Sequence, residues 1–399
     1  MKLKTGFLSL LILCLLPLSG CWNYREMNDL ALALAMGVDK APGDKYLFSF
    51  QVVNAKEIAG EKATGIVPVH LYSGSGKTLM EAVRKASQKV PRRINNQHVR
   101  LFVIGEALAK KGIVEVFDLI ERDPEPRMTT RVLIARNTTA EKVLKIVTAL
   151  EPIPANAILG KVKVTGRVLG ESYEVEIDDV IRGLMSKGGG PVISGIRLVG
   201  DAKGDKVSNV EQTDPPAELR TSGMALFKKG KLAGWVTGNR ARGLSWINNK
   251  MKSTIINVEC EQNKGAIAIE AIRSRADVKA VLDEARPSFH IRIRQIGIVA
   301  EAMCPVDLNK SAEIRKLEKQ WSDLTKRDVK AAVKTAQKLE TDVFGFGQTV
   351  ERANPKAWKE MQKEWGSLFP ASKVNVTVES TIRRSGMITK PYLFDLEKE

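Results

Sequence analysis

Val99-Arg100-Leu101-Phe102-Val103-Ile104, Val114-Glu115-Val116-Phe117-Asp118-Leu119-Ile120 and Arg131-Val132-Leu133-Ile134-Ala135 set the class of this fold. The first and third runs are short and rich in Val, Ile and Leu, as buried strands are. The second is the apolar part of a helix that Asp123-Pro124 ends. A further helix pattern covers Ala140 to Leu150. Upstream, Leu30 to Val38, Tyr46 to Val53 and Ile66 to Tyr72 read as three more strands. Thr78 to Val90 has helix spacing, with Leu79, Ala82, Val83 and Ala86 on one stripe and Pro91 as its stop. Strands and helices therefore mix without a strict βαβ repeat. The expectation is an α+β protein of several mixed or antiparallel sheets packed with helices.

Downstream, residues 151–190 are weakly patterned apart from a helix at Asp178 to Met185, which Gly188-Gly189-Gly190-Pro191 breaks. Val192 to Val199 reads as a strand, and the polar stretch 200–220 with Pro215-Pro216 as a surface linker. Met224 to Phe227 and Leu232 to Val236 flank Lys228-Lys229-Gly230, a hairpin signal. Thr254 to Val258, Ala266 to Ile272 and Phe289 to Val299 read as strands, with a bulge where Ile291, Ile293 and Ile296 break alternation. Ser311 to Glu340 is a long helix with Ile314, Leu317, Trp321 and Leu324 on its core stripe. Pro355 to Trp365 reads as a helix and Val374 to Ile382 as a closing strand. The expected division is a signal segment at 1–20, an N-terminal α+β region of one or two subdomains at 21–205, and a C-terminal α+β domain at 221–399.

The N-terminus supplies the address. Lys2 and Lys4 precede an apolar run from Gly6 to Leu16, too short to span a bilayer comfortably. Leu18-Ser19-Gly20-Cys21 follows and looks like a bacterial lipobox. The expectation is cleavage before Cys21 and a lipid anchor, such as palmitate, on its thiol; the plainer alternative is a secretory signal with a chance cysteine. Trp22 and Tyr24 would then lie at headgroup level. No later apolar run approaches the roughly 18 residues of a membrane span.

The chain carries a formal charge of +17 over 399 residues. Its basic pairs, such as Arg92-Arg93 and Lys326-Arg327, are scattered and lack interleaved aromatics, so nucleic acid is not the expected partner. Anionic lipid headgroups or acidic loops of a membrane protein suit the charge better, and a simply solvated basic surface is the alternative. Cys260 and Cys304 stand in apolar, strand-like surroundings. A disulfide and two buried thiols both fit the sequence.

Motifs for chemistry are sparse. Gly74-Ser75-Gly76-Lys77-Thr78 resembles the end of a phosphate loop, but the required upstream glycine is Leu71. Thr78-Leu79-Met80-Glu81 reads instead as a capping box. His70, His98 and His290 share no metal-ligand spacing. Asp178-Asp179 and Glu174-x-Glu176 lack calcium-loop spacing. Phe344-Gly345-Phe346-Gly347 suggests a tight turn pinned by aromatic rings. No catalytic residue, cofactor site or metal site is expected.

Several blocks together resemble one family. Cys21-Trp22-Asn23-Tyr24-Arg25-Glu26-Met27-Asn28-Asp29-Leu30 and Gly37-Val38-Asp39 come first. Asn96-Gln97-His98-Val99-Arg100, Ile104-Gly105-Glu106-Ala107-Leu108-Ala109-Lys110-Lys111-Gly112 and Glu121-Arg122-Asp123-Pro124-Glu125-Pro126-Arg127 follow. Gly223-Met224-Ala225-Leu226-Phe227-Lys228, Gly234-Trp235, Asp342-Val343-Phe344-Gly345-Phe346-Gly347, Pro355-x-x-Trp358 and Trp365 close the set. Their order resembles the Ger(x)C proteins, the C-subunit lipoproteins of spore germinant receptors. Asn23 departs from the acidic residue of the family pattern. The resemblance implies a multi-domain α+β protein without catalytic residues. It would be anchored by Cys21 on the outer face of the cell or inner spore membrane and act with two integral membrane subunits, of A and B type, in nutrient-triggered germination. The alternative is an extracytoplasmic solute-binding lipoprotein that captures the nutrient itself.

Overall fold

The computed structural model describes residues 29–54, 67–123, 125–200, 204–260, 265–283 and 286–384. Cys21, the signal segment and the Trp22–Tyr24 pair lie outside the described residues. Strands β1 (Leu30–Ala41), β2 (Lys45–Val53) and β3 (Val69–Gly76) form an antiparallel meander. Helix α1 (Leu79–Ser87) follows at once. Its start is capped much as the sequence suggested. The Thr78 hydroxyl accepts the Glu81 N–H at 3.1 Å, and the Glu81 carboxylate accepts the Lys77 N–H at 2.7 Å. Gly74 and Gly76 have a packing role. A Cβ on Gly74 would lie 2.2 Å from Ala86 N, and one on Gly76 2.6 Å from Ala82 N. Only glycine lets α1 lie directly on β3, so this stretch is a strand under a helix and not a phosphate loop.

The chain continues through β4 (Arg93–Asn95), β5 (Leu101–Gly105), α2 (Glu106–Lys111), α3 (Val114–Arg122), β6 (Arg131–Ala135) and α4 (Ala140–Lys145). Next come α5 (Pro154–Val168), α6 (Ile177–Met185), β7 (Val192–Gly200), β8 (Ala217–Lys228) and β9 (Lys231–Val236). They build one mixed sheet in the order β3-β2-β1-β5-β6-β7-β8-β9, with β4 beside β1. Its centre, β1-β5-β6-β7, is parallel and both flanks are antiparallel. Lys229 and Gly230, at φ 48° and 75°, close the β8–β9 hairpin that the sequence signalled. Of the polar stretch 200–220 read as a linker, residues 204–216 lie between β7 and β8, which pair with each other, and residues 217–220 open β8 itself.

Helix α7 (Gly238–Ile247) leads to β10 (Thr254–Glu259), β11 (Ala266–Asp283) and β12 (Arg286–Ala302). Helices α8 (Ser311–Lys338), α9 (Phe346–Ala353), α10 (Pro355–Met361) and α11 (Trp365–Ala371) precede β13 (Lys373–Arg384). The second sheet has the order β10-β11-β12-β13, with only the last pair parallel. Helix α8 buries Leu317, Trp321, Val329, Ala332 and Val333 between this sheet and helix α7. Met224, Leu226 and Val236 of the large sheet belong to the same apolar cluster, so one core joins the two sheets.

With two mixed sheets and helices on both, the α+β expectation holds. Several elements differ from the sequence reading. The helix expected to Leu150 ends at Lys145, and the one expected at Pro355–Trp365 is two short helices. The expected bulge sits on the partner strand: Ile272 is the extra residue between the pairs Ala271↔Gly297 and Arg273↔Ile296. Strand β12 keeps its alternation from Phe289 to Val299 by burying Gln295, which donates to Thr325 and Ser380. Cys260 and Cys304 form a disulfide, closing the open alternative in favour of the bond.

Candidate functional site

The carboxyl ends of parallel strands are where open α/β sheets usually hold ligands. Here that end is filled by side chains. Asp39 lies near the end of β1 and is buried beside Gly105 at the end of β5. A Cβ on Gly105 would lie 2.0 Å from Asp39 Oδ1. The two Asp39 oxygens accept the Ala140 and Glu141 N–H groups at 2.8 and 3.0 Å, capping α4. Glu106 accepts the Asn137 N–H at 2.6 Å and the Trp235 indole N–H at 3.3 Å, and pairs with Lys110 at 3.0 Å. The Arg136 guanidinium lies 4.6 Å from the centre of the Trp235 ring. Three of the sequence blocks, around Asp39, Glu106 and Trp235, thus meet in one packed hub.

Burial pushes the Asp39 carboxyl up to about 6 from 3.8, against the pull of its two backbone donors. The folded chain therefore holds a proton that the unfolded chain releases between those values. This contribution to stability is fully present below about pH 3.8 and is lost as pH rises through 6. Its size is about 3 kcal/mol. Asp39→Asn should flatten that part of the profile. Urea unfolding of both proteins from pH 4 to 7 measures it, and parallel profiles would refute the assignment.

At the opposite end of the sheet, Gln97, His98 and Arg100 from one block meet Arg127 from another around a cleft of about 690 Å³. Arg131 bridges Glu174 and Glu176 there at 3.2 and 2.6 Å, and Arg100 donates to Asn156 at 3.0 Å. These are exposed or half-exposed ties, each contributing little to stability.

A cavity of about 1110 Å³ forms a groove between the two sheets. Helix α6, the turn Asn248–Lys250, the middle of β11 and the start of α9 line it. Its acids are engaged. Asp179 binds Arg182 at 2.6 Å, and Asp277 binds Arg294 at 2.8 Å with Arg275 at 3.6 Å. Asp342, at the inner wall, accepts the N–H groups of Phe344, Phe346 and Gly347 and the Trp365 indole N–H, at 2.7 to 3.2 Å. Gly345 at φ 72° makes the turn, and Phe346 stacks on Phe289 with centroids 4.3 Å apart. This is the aromatic-pinned turn that the sequence suggested.

Among the described residues, no three His, Cys, Asp or Glu side chains gather to hold a metal ion. His70 and His290 stand exposed on β3 and β12, away from His98. Cys21, the expected lipidation site, lies outside the described residues. The groove's Asn249, Lys250 and Arg273 carry no local sequence motif; only the Asp342–Gly347 block pointed to this region.

Two family models match the chain. One, described as the spore germination protein N-terminal domain, covers residues 23–198; the other, described as spore germination B3/GerAC like, C-terminal, covers residues 222–386. The chain belongs to the Ger(x)C, or GerAC-like, family of spore germination proteins. It is 33% identical to spore germination protein KC of Bacillus subtilis (strain 168), over 96% of each chain. Spore germination protein B3 of the same organism is 23% identical over 98% of this chain and 100% of its own. The crystal structure of the GerBC protein matches with a TM-score of 0.56 at 19% identity, covering 87% of this chain and 96% of that one. That likeness confirms the fold of this Ger(x)C chain. The hub and the Asp342 turn give physical roles to family blocks: both are buried ties that hold the scaffold.

Proposed function

We propose that this chain is the non-enzymatic, lipid-anchored C subunit of a nutrient germinant receptor, working with two integral membrane subunits. The observation that carries this reading is the match of both family models, which together run from residue 23 to residue 386. Two further observations support it. The acids of the hub and the groove are engaged in ties, which suits a scaffold better than acid–base chemistry. Among the described residues no helix is long and apolar enough to cross a membrane, so an acylated Cys21 would supply the anchor.

Cys21→Ala tests it. The variant should stay an unprocessed precursor, take up no labelled palmitate, and slow nutrient-triggered germination about tenfold through lost membrane residence. Normal acylation in the variant would sink the anchor, and a normal germination rate would sink its functional weight. The alternative, direct nutrient capture, is favoured by one observation, the groove. Its lining of charged side chains differs from the mostly apolar wall of typical small-molecule sites. Calorimetry of the full chain against amino acids and sugars separates the two, because the subunit reading expects no binding by this chain alone.

A further inference from the structure

β11 runs from Ala266 to Asp283, yet β10 covers only Ala266–Ala271. From Arg273 onward one edge of β11 pairs with β12, and among the described residues no strand pairs with the other. That open edge forms a wall of the large groove through residues 273–278. Asn249 marks which backbone groups face outward. Its side chain donates to the Ala276 carbonyl at 2.9 Å and accepts the Ala276 N–H at 2.7 Å, as a neighbouring strand would. Bonding alternates along an antiparallel strand. Ser274, Val278 and Ala280 therefore turn their N–H and C=O groups to the same open side, whereas Arg275, Asp277 and Lys279 turn theirs to β12. The Ser274 hydroxyl is buried with no hydrogen-bond partner.

Charge selects the occupant. Arg182 and Arg275 are held by Asp179 and Asp277. Lys250, Arg273 and Arg352 also line the groove and have no carboxylate partner among the described residues. Lys250 lies 5.8 Å above the Tyr173 ring, and Arg352 donates to the Thr349 hydroxyl. Arg352 rises from α9, which packs by Phe346 on Phe289, on the buried face of the sheet. Arg273 stands on the opposite, exposed face. A strand laid along β11 would meet cations on both of its faces. A second copy of this chain, at net +17, is opposed by its own charge.

We propose that the open edge of β11 takes up an extended acidic segment of a partner protein as an added strand in this groove. Main-chain bonds to Ser274, Val278 and Ala280 would supply the affinity, and the unpaired cations the selectivity. The proposal goes beyond the receptor reading and does not depend on it, since it is tested on the isolated chain.

The test uses the full chain in detergent and a fluorescein-labelled heptapeptide alternating valine and glutamate. Anisotropy should show saturable binding that weakens with salt, and amide exchange at Val278 and Ala280 should slow about tenfold. The lysine counterpart of the peptide should bind about tenfold more weakly. Ala280→Pro removes an outward N–H that makes no ladder bond, so the fold tolerates it while strand addition is blocked. It should weaken binding about tenfold at an unchanged urea midpoint. The exposed triple variant Lys250→Glu, Arg273→Glu, Arg352→Glu should reverse the preference between the two peptides while leaving the outward main-chain groups of Ser274, Val278 and Ala280 in place. No saturable binding, equal binding of both peptides, or full binding by both variants would overturn the proposal.

Discussion

Asp342→Ala should cost about 5 kcal/mol, among the largest effects of any single substitution in this chain. Asp342 is 5% exposed, and its carboxylate is the common acceptor for Phe344, Phe346, Gly347 and Trp365. Burial pushes its carboxyl up, while the four donors draw it back. Alanine removes the acceptor and leaves the donors buried, and each unmade bond costs about 1–3 kcal/mol. The loss is not confined to the turn. Trp365 packs so closely on Gly188 that a Cβ there would meet its ring at 2.2 Å, and Trp358 presses on Gly347 at 2.6 Å by the same measure. Phe289, Phe346, Trp365 and Phe369 form one aromatic cluster behind them, stacked at Phe289–Phe346 and edge-to-face at Phe289–Trp365 and Phe346–Phe369. Once Trp365 loses its indole partner, the contact of α11 with β12 and with the loop at Gly188 loosens. Asp342→Asn keeps the shape and one acceptor oxygen but aims an amide at backbone N–H groups, so about half the loss should remain. Urea unfolding followed by tryptophan fluorescence reads both variants. Asp277→Ala, at a part-exposed acid of the same groove whose partners are Arg294 and Arg275, is the comparison and should shift stability by about 0.5 kcal/mol or less. An unchanged midpoint for Asp342→Ala would remove the turn from the scaffold.

How far the residues alone foretold this depends on how their periodicity meets solvent. β1, β5 and β6 are buried on both faces, and their continuous apolar runs read correctly. Helix α5 did not, because Val164 and Val168 are 59% and 50% exposed and blur its apolar stripe. The second half of β11 did not either. Its exposed face is Arg273, Arg275, Asp277 and Lys279, and its inner face is only small or medium side chains such as Ser274, Ala276 and Ala280. Such alternation has little apolar contrast, and the strand exists through its long pairing with β12. Gly74 and Gly76 looked like loop chemistry because a close approach of backbones has no local signature. Asp39, Glu106 and Asp342 were visible as members of blocks. The partners of Asp39 and Glu106 were not, because Ala140 and Trp235 lie about a hundred or more residues from the acids they bind. The groove is the least legible feature, since its walls come from four separate segments.

Removing the Cys260–Cys304 disulfide should cost about 4 kcal/mol, the loop-closure entropy of a bond spanning 44 residues. The bond fastens the end of β10 to the segment just after β12, across the long β11–β12 hairpin. β10 is an edge strand held on one side by six residue pairs with β11. Without the bond, fraying can start at Glu259 and run toward Thr254, where the Thr254 hydroxyl donates to the Leu169 carbonyl at 2.8 Å. The effect should therefore be local at first. Amide exchange in Cys260→Ala/Cys304→Ala should rise in residues 254–271, while β1, β5 and β6 keep their protection. The urea midpoint of the natural chain in reductant should fall to that of the alanine pair. This comparison separates the entropic term from the volume lost at Cys304, because reduction leaves both sulfurs in place. A natural chain indifferent to reductant would show that β10 is held by its ladder alone. A fall confined to the alanine pair would assign the loss to packing.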